Sequence, residues 1–246
     1  MKTFLNVLAA ERLKMSRSRL WLVLLISPAL SALIGALVNL PKGADAAVWP
    51  LLISAMSMLH ALLFLPIMSG LFPSFLCRYE HTGGGWKQLL VLPVSRSAVY
   101  LAKFTVVAVL LAASQLLFLA ALLIVALFQG ISGPMPWGMI ATSLIGGWIA
   151  CMPLVALQLG VSLVWSSFAA PLAVNVSLTI PNLLIINSDK IGPFYPWAQP
   201  LLAMMPRGQA DYGAFNLPYE SLLITVLGSF LLFLIAGMLY FRRKAV

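Results

Sequence analysis

Six apolar runs, at residues 20–40, 50–76, 99–128, 137–164, 168–186 and 222–241, fill most of this 246-residue chain, and very few charged side chains interrupt them. A helix needs about 20 predominantly apolar residues to cross the hydrocarbon of a bilayer. The spacing therefore predicts six membrane-spanning helices with short connections. Backbone polar groups in hydrocarbon must be satisfied within their own segment, which makes the expected fold all-α. Hydrophobic residues make up 62% of the chain and charged ones 9%, where a soluble domain carries roughly 45–50% and about 25%. Residues 1–246 read as a single membrane domain. Pro28, Pro66, Pro153 and Pro171 fall inside the runs; membrane helices tolerate them because neighbours satisfy the freed carbonyls.

A net charge of +9 raises the question of nucleic acid, but the fifteen Lys and Arg sit at the ends of the apolar runs, with no basic groove of interleaved aromatics. Their distribution instead sets orientation. With the N-terminus in the cytoplasm, the inner side holds Lys2, Arg12, Lys14, Arg17, Arg19, Arg78, Lys87, Arg96, Lys103, Arg242, Arg243 and Lys244, and the outer side only Lys42, Lys190 and Arg207. The positive-inside rule selects that arrangement, with both termini cytoplasmic.

The first run is too long for the 7–15 apolar residues of a signal-peptide core, and similar runs follow it. Ahead of it, residues 1–19 mix Phe4, Leu5, Val7, Leu8 and Leu13 with Glu11, Arg12 and Lys14. This suits either a helix lying at the membrane surface or a merely basic flank, since the stripe through Phe4, Val7 and Leu8 breaks at Glu11. Residues 187–219 form the longest external segment, rich in proline and aromatics. Its apolar piece, 197–205, is too short to cross and is expected to dip into the membrane and return.

Ionisable residues inside spans usually mark ion paths or catalytic groups. Here His60 is the single candidate, read either as a neutral hydrogen-bonded imidazole or as a proton relay. Lys103 and Glu220 lie near span ends, where they are expected to snorkel. Gln115, Gln158, Asn175 and Asn182 are expected to bond between helices, and Ser31 with Gly35 and Ser143 with Gly147 to allow close helix packing. Cys77 and Cys151 match no metal or redox spacing. Gly83-Gly84-Gly85-Trp86-Lys87 lacks the Gly-Lys-Ser/Thr of a phosphate loop. Energy for any transport must come from outside the chain.

The substantial cytoplasmic loop is 78–97. After its glycines, Trp86, Leu89 and Leu90 share one face of a short helix, and Pro93 ends it. Arg96 and Lys103, at the start of the third span, are placed to reach headgroups or an acidic partner. The loop is either an ordinary basic hairpin or a docking element that transmits a partner's motion to the spans.

Glu80, Gly85, Trp86, Lys87, Leu89, Leu90, Pro93, Ser95, Arg96 and Lys103, with Arg78 at the loop's start, resemble the coupling-helix region of permease subunits of ABC transporters of the ABC-2 type. The opening, with Glu11, Arg12, Lys14, Arg17 and Arg19 before an apolar run, resembles that family's N-terminal elbow helix. The resemblance implies a permease subunit without an ATPase site or cofactor of its own. ATP and Mg would be bound by a separate cytoplasmic ABC ATPase, and a second permease chain, identical or paralogous, would complete the transporter. Size and wording look most like the bacterial permeases that protect the cytoplasmic membrane against lantibiotics and similar peptide antibiotics. These imply an amphipathic peptide or lipid-like substrate. A secondary carrier and a non-transporting membrane immunity protein remain the competing readings.

Overall fold

A computed structural model describes residues 2–16, 18–41, 45–82, 84–131, 133–207, 215 and 218–244. Helix α1, Lys2–Ser16, closes at Ser18, whose hydroxyl donates to the Met15 carbonyl at 2.8 Å and accepts from Leu20 N–H. A tight turn, Arg19–Leu22, leads into α2, Val23–Leu37. Helix α3, Asp45–Leu59, runs through one π-helical turn, His60–Phe64, into α4, Leu65–His81. The short α5, Gly85–Val91, precedes α6, Arg96–Phe128. Helices α7, Trp137–Ala150, and α8, Met152–Val164, form one rod jointed at Cys151. There follow α9, Ala169–Thr179; α10, Asn182–Ile185; α11, Gln199–Met204; and α12, Tyr219–Arg243.

The chain is a multi-pass membrane protein, all-helical over the described residues. Five helices have the length and hydropathy to span: Arg19–Leu37, Val48–His81, Arg96–Phe128, Trp137–Val164 and Tyr219–Arg243. The run expected as a fifth span of six does not reach that length. Pro181 interrupts it, leaving α9 with 11 residues and α10 with 4. Elsewhere the helices outrun the predicted spans. Helix α4 carries on through Arg78 and Glu80 to His81, so those two residues stand on a helix rather than in a loop.

Helix α6 is the axis of the bundle, touching α1, α2, α4, α7, α8 and α12. Its 33 residues extend about 50 Å at 1.5 Å per residue, well beyond a ~30 Å hydrocarbon layer. At one end Gln129 donates to the Gly35, Ala36 and Val38 carbonyls at 3.0, 3.2 and 3.1 Å, closing the C-terminal turn of α2. Gly35 admits Met56 of α3 so closely that a Cβ there would lie 2.8 Å from its side chain, and Gly147 admits Met204 in the same way. These small residues pack the chain against itself.

Pro66 has no N–H for the Leu62 carbonyl one turn earlier. Asn182 supplies it, donating to Leu62 O at 3.1 Å and to Trp197 O at 2.8 Å. Asn175 donates to Pro66 O at 2.9 Å and accepts from the Trp197 indole at 2.9 Å. Buried amides thus tie α9, α10 and the segment before α11 to the kinked α4. Helix α11 is itself buried, with Leu201, Leu202 and Met204 at 0% exposure.

His60, fully buried and stacked on Phe118, has Ser27 Oγ 2.6 Å from Nδ1 and Gln115 Oε1 3.3 Å from Nε2. Because the amide oxygen only accepts, Nε2 donates to it, and Nδ1 pairs with the serine hydroxyl. Gln158 departs from expectation: it is buried on α8, yet neither its amide nitrogen nor its oxygen has a hydrogen-bond partner in the structure.

Candidate functional site

The geometry at the α5 end of the bundle begins with two glycines. Gly84 takes φ 72°, the left-handed region that favours glycine, and turns the chain back from α4. At Gly85 an added Cβ would stand 2.8 Å from both Glu80 Cα and the Tyr79 carbonyl. Only glycine lets α5 start against the backbone of α4. Gly85 makes the approach and Gly84 the turn, while Gly83 lies outside the described residues.

This turn drives Trp86 inward to 6% exposure, against Phe241 of α12 at 5.2 Å between ring centroids. Its indole N–H donates to His81 Nδ1 at 3.2 Å, and His81 Nε2 donates to the Ser162 carbonyl of α8 at 2.9 Å. One tautomer satisfies both bonds. Leu89 packs into the same cluster; the side chain of Leu90 lies outside the described residues. Pro93 follows α5, and Ser95 caps α6 by accepting from Ala98 N–H at 3.1 Å. The Leu-Pro-Val-Ser-Arg stretch is therefore a stop for one helix and a start for the next.

Arg96 does not reach out to headgroups. Its Nη1 donates to the Phe241 carbonyl at 3.1 Å and to the Lys244 carbonyl, gathering the C-terminal carbonyls of α12, where a cation also meets the negative end of the helix dipole. Lys244 closes over Trp86, 5.9 Å from the ring centre, and donates to the Leu163 carbonyl. Partial burial there holds its ammonium below the usual lysine pKa.

Lys103 gives the largest correction. Far from snorkelling, it is fully buried. Its ammonium donates to Glu11 Oε2 at 3.0 Å and to the Leu76 carbonyl at 3.1 Å, and lies 2.9 Å from Glu80 Oε2, off the hydrogen-bond direction. Lys14 completes the set, 2.8 Å from Glu11 Oε1 and in contact with Glu80 Oε1. Glu11 and Glu80 are 1% and 4% exposed. Two carboxylates and two ammoniums, from α1, α4 and α6, make a closed, neutral quartet behind α5. Glu11 does not break the inward stripe of α1, which runs Val7, Glu11, Met15, all buried. It occupies that stripe as a charge because Lys103 waits opposite.

The other face of α5 points away from the protein. Lys87 and Gln88 are exposed, Val91 is 85% exposed and Leu92 53%. Arg78 is exposed with its guanidinium 5.8 Å from the Phe168 ring centre. Arg12 and Arg19 are exposed and form no ion pair among the described residues; Arg17 lies outside them. Of the residues singled out from sequence, Glu11, Lys14, Glu80 and Lys103 come together, and Gly85, Trp86, Leu89 and Arg96 form the seat beside them. Lys87, Arg78, Arg12 and Arg19 stand apart. His81, Phe241, Lys244 and the outward Val91 were missed. For Val91 and Leu92 a signal existed: they extend an apolar run beyond the Trp86–Leu89 face.

None of the curated proteins compared with the sequence matches it. The ABC-2 family transporter protein profile matches residues 7–182, from α1 through the start of α10, a stretch that contains the quartet, α5 and Arg96 and covers well over half the chain. The chain therefore belongs to the ABC-2 family of ABC transporter membrane proteins, and works as a transport component beside an ABC ATPase.

Proposed function

We propose that this chain is the permease subunit of an ATP-driven exporter, and that the ATPase seats on the outward face of α5. The observation that carries the reading is the contrast between that helix's two faces. One is fixed to α4, α6, α8 and α12 through Trp86, His81 and the charge quartet, and the other leaves Val91 and Leu92 bare at 85% and 53% exposure. A short helix anchored to four long ones, with an apolar tip outside, passes a push from a partner into the spans.

In this reading α1 is the elbow helix at the inner membrane surface, α9 with α10 completes six spans, α11 is the re-entrant piece, and both termini are cytoplasmic in a bacterial plasma membrane. A second permease, identical or paralogous, pairs with it. The substrate is a lantibiotic or similar amphipathic peptide expelled from the membrane, giving immunity. The secondary-carrier alternative rests on His60, both of whose ring nitrogens are engaged by Ser27 and Gln115.

The test uses the permease with its ATPase in vesicles. Val91→Asp with Leu92→Asp should leave expression and melting unchanged and remove both ATPase co-purification and peptide-stimulated ATP hydrolysis. Undiminished coupling in that variant would sink the docking role. Protection by the permease without any ATPase would instead favour the immunity protein.

A further inference from the structure

Beside the charge quartet lies an open groove of about 450 Å³ between α1, the turn into α2, and α6. Its walls are Leu8, Met15, Trp21, Val106, Val109 and Leu110. The two hydroxyls that line it are already used: Ser16 donates to the Leu13 carbonyl at 3.1 Å, and Thr105 to the Leu101 carbonyl at 2.8 Å. The remaining polar group is Arg12. We propose that this groove binds an anionic glycerophospholipid, one acyl chain lying along Val106 and Val109 and the phosphate held by Arg12.

Three observations select that occupant. The first is depth. The groove spans the junction where the surface segment turns into the first span, and Thr105 sits less than three turns inside the start of α6. That is the boundary between headgroups and acyl chains, and Trp21, 48% exposed, is the residue type enriched there.

The second is charge. The chain has six acidic residues. The two near this end, Glu11 and Glu80, are consumed by Lys14 and Lys103. Arg12 is exposed, has no ion pair among the described residues, and presents a planar fork suited to two phosphate oxygens.

The third is the wall. Val109 is 61% exposed on a helix that spans the membrane, so the groove opens sideways into lipid rather than toward water. A lipid lodged there braces α1 against α6 next to the quartet.

The probe is phosphatidylglycerol against phosphatidylcholine with identical acyl chains, added to the purified full-length chain in detergent and followed by native mass spectrometry. Brominated acyl chains add a local readout, as the quenching lost when Trp21 is replaced by Phe. Phosphatidylglycerol should bind about five-fold more tightly, the preference one Arg contributes near an anionic surface. Arg12→Gln should erase that preference while leaving phosphatidylcholine binding, and Val109→Trp should weaken both lipids. Equal binding of the two lipids to the wild type, a preference that survives Arg12→Gln, or quenching that does not involve Trp21 would each overturn the assignment. So would efficient disulfide formation between two copies through Val109→Cys, which would place another chain in the groove.

Discussion

Lys103 ties together α1, α4 and α6 at the α5 end of the bundle. An ammonium in a dry interior is tolerable only when its neighbours complement it, and removing one partner of such a cluster typically costs about 3–5 kcal/mol because the opposite charges are left buried. Lys103→Met should therefore lower the melting temperature of the purified protein sharply. Adding Glu11→Gln and Glu80→Gln to that variant should recover most of the loss, since neutral groups of similar size need no counterion. No recovery would mean that Lys103 acts through packing alone. Sequence reading named all four residues of the quartet but expected Lys103 to snorkel, reaching headgroups or an acidic partner, and read Glu11 as a break in an apolar stripe. The reason is reach: the Glu11–Lys103 bond joins positions 92 apart, and periodicity reports only which face a residue occupies, not what lies opposite.

At the scale of elements, what was readable was whatever a single segment decides for itself. Five of the six apolar runs became spanning helices because length and hydropathy are local properties, and the short α5 followed from its glycines and Pro93. The run at 168–186 stops short of that length because Pro181 divides it into α9 and α10, whose positions are held by side chains from elsewhere. Asn182 is the principal clamp, serving the carbonyl that Pro66 leaves without a partner. Asn182→Leu should cost about 1–3 kcal/mol for each carbonyl orphaned and loosen α10 before the rest, seen as early amide exchange across residues 182–185. Uniform exchange in wild type and variant would show that α10 is held by apolar packing instead.

For the whole molecule, α1, α4, α6, α8 and α12 meet at one end of the bundle around one indole. Phe241 and Arg96 bring the last helix into that knot, a connection invisible in the sequence because an Arg-to-carbonyl cap has no pattern of its own. Ending the chain after Tyr240 should preserve membrane insertion yet reduce peptide-stimulated ATP hydrolysis at least several-fold; full stimulation would exclude α12 from the transmission path.

The quartet also dictates an order of events during synthesis. Glu11 leaves the ribosome 92 residues before its partner Lys103, an interval of roughly 5–18 s at 5–20 residues per second. During that time the first two spans emerge and become available to the insertion machinery, while a carboxylate destined for burial must stay hydrated. Helix α1 is thus made well before its burial partner, and it acts as a latch that shuts only when the third span has arrived.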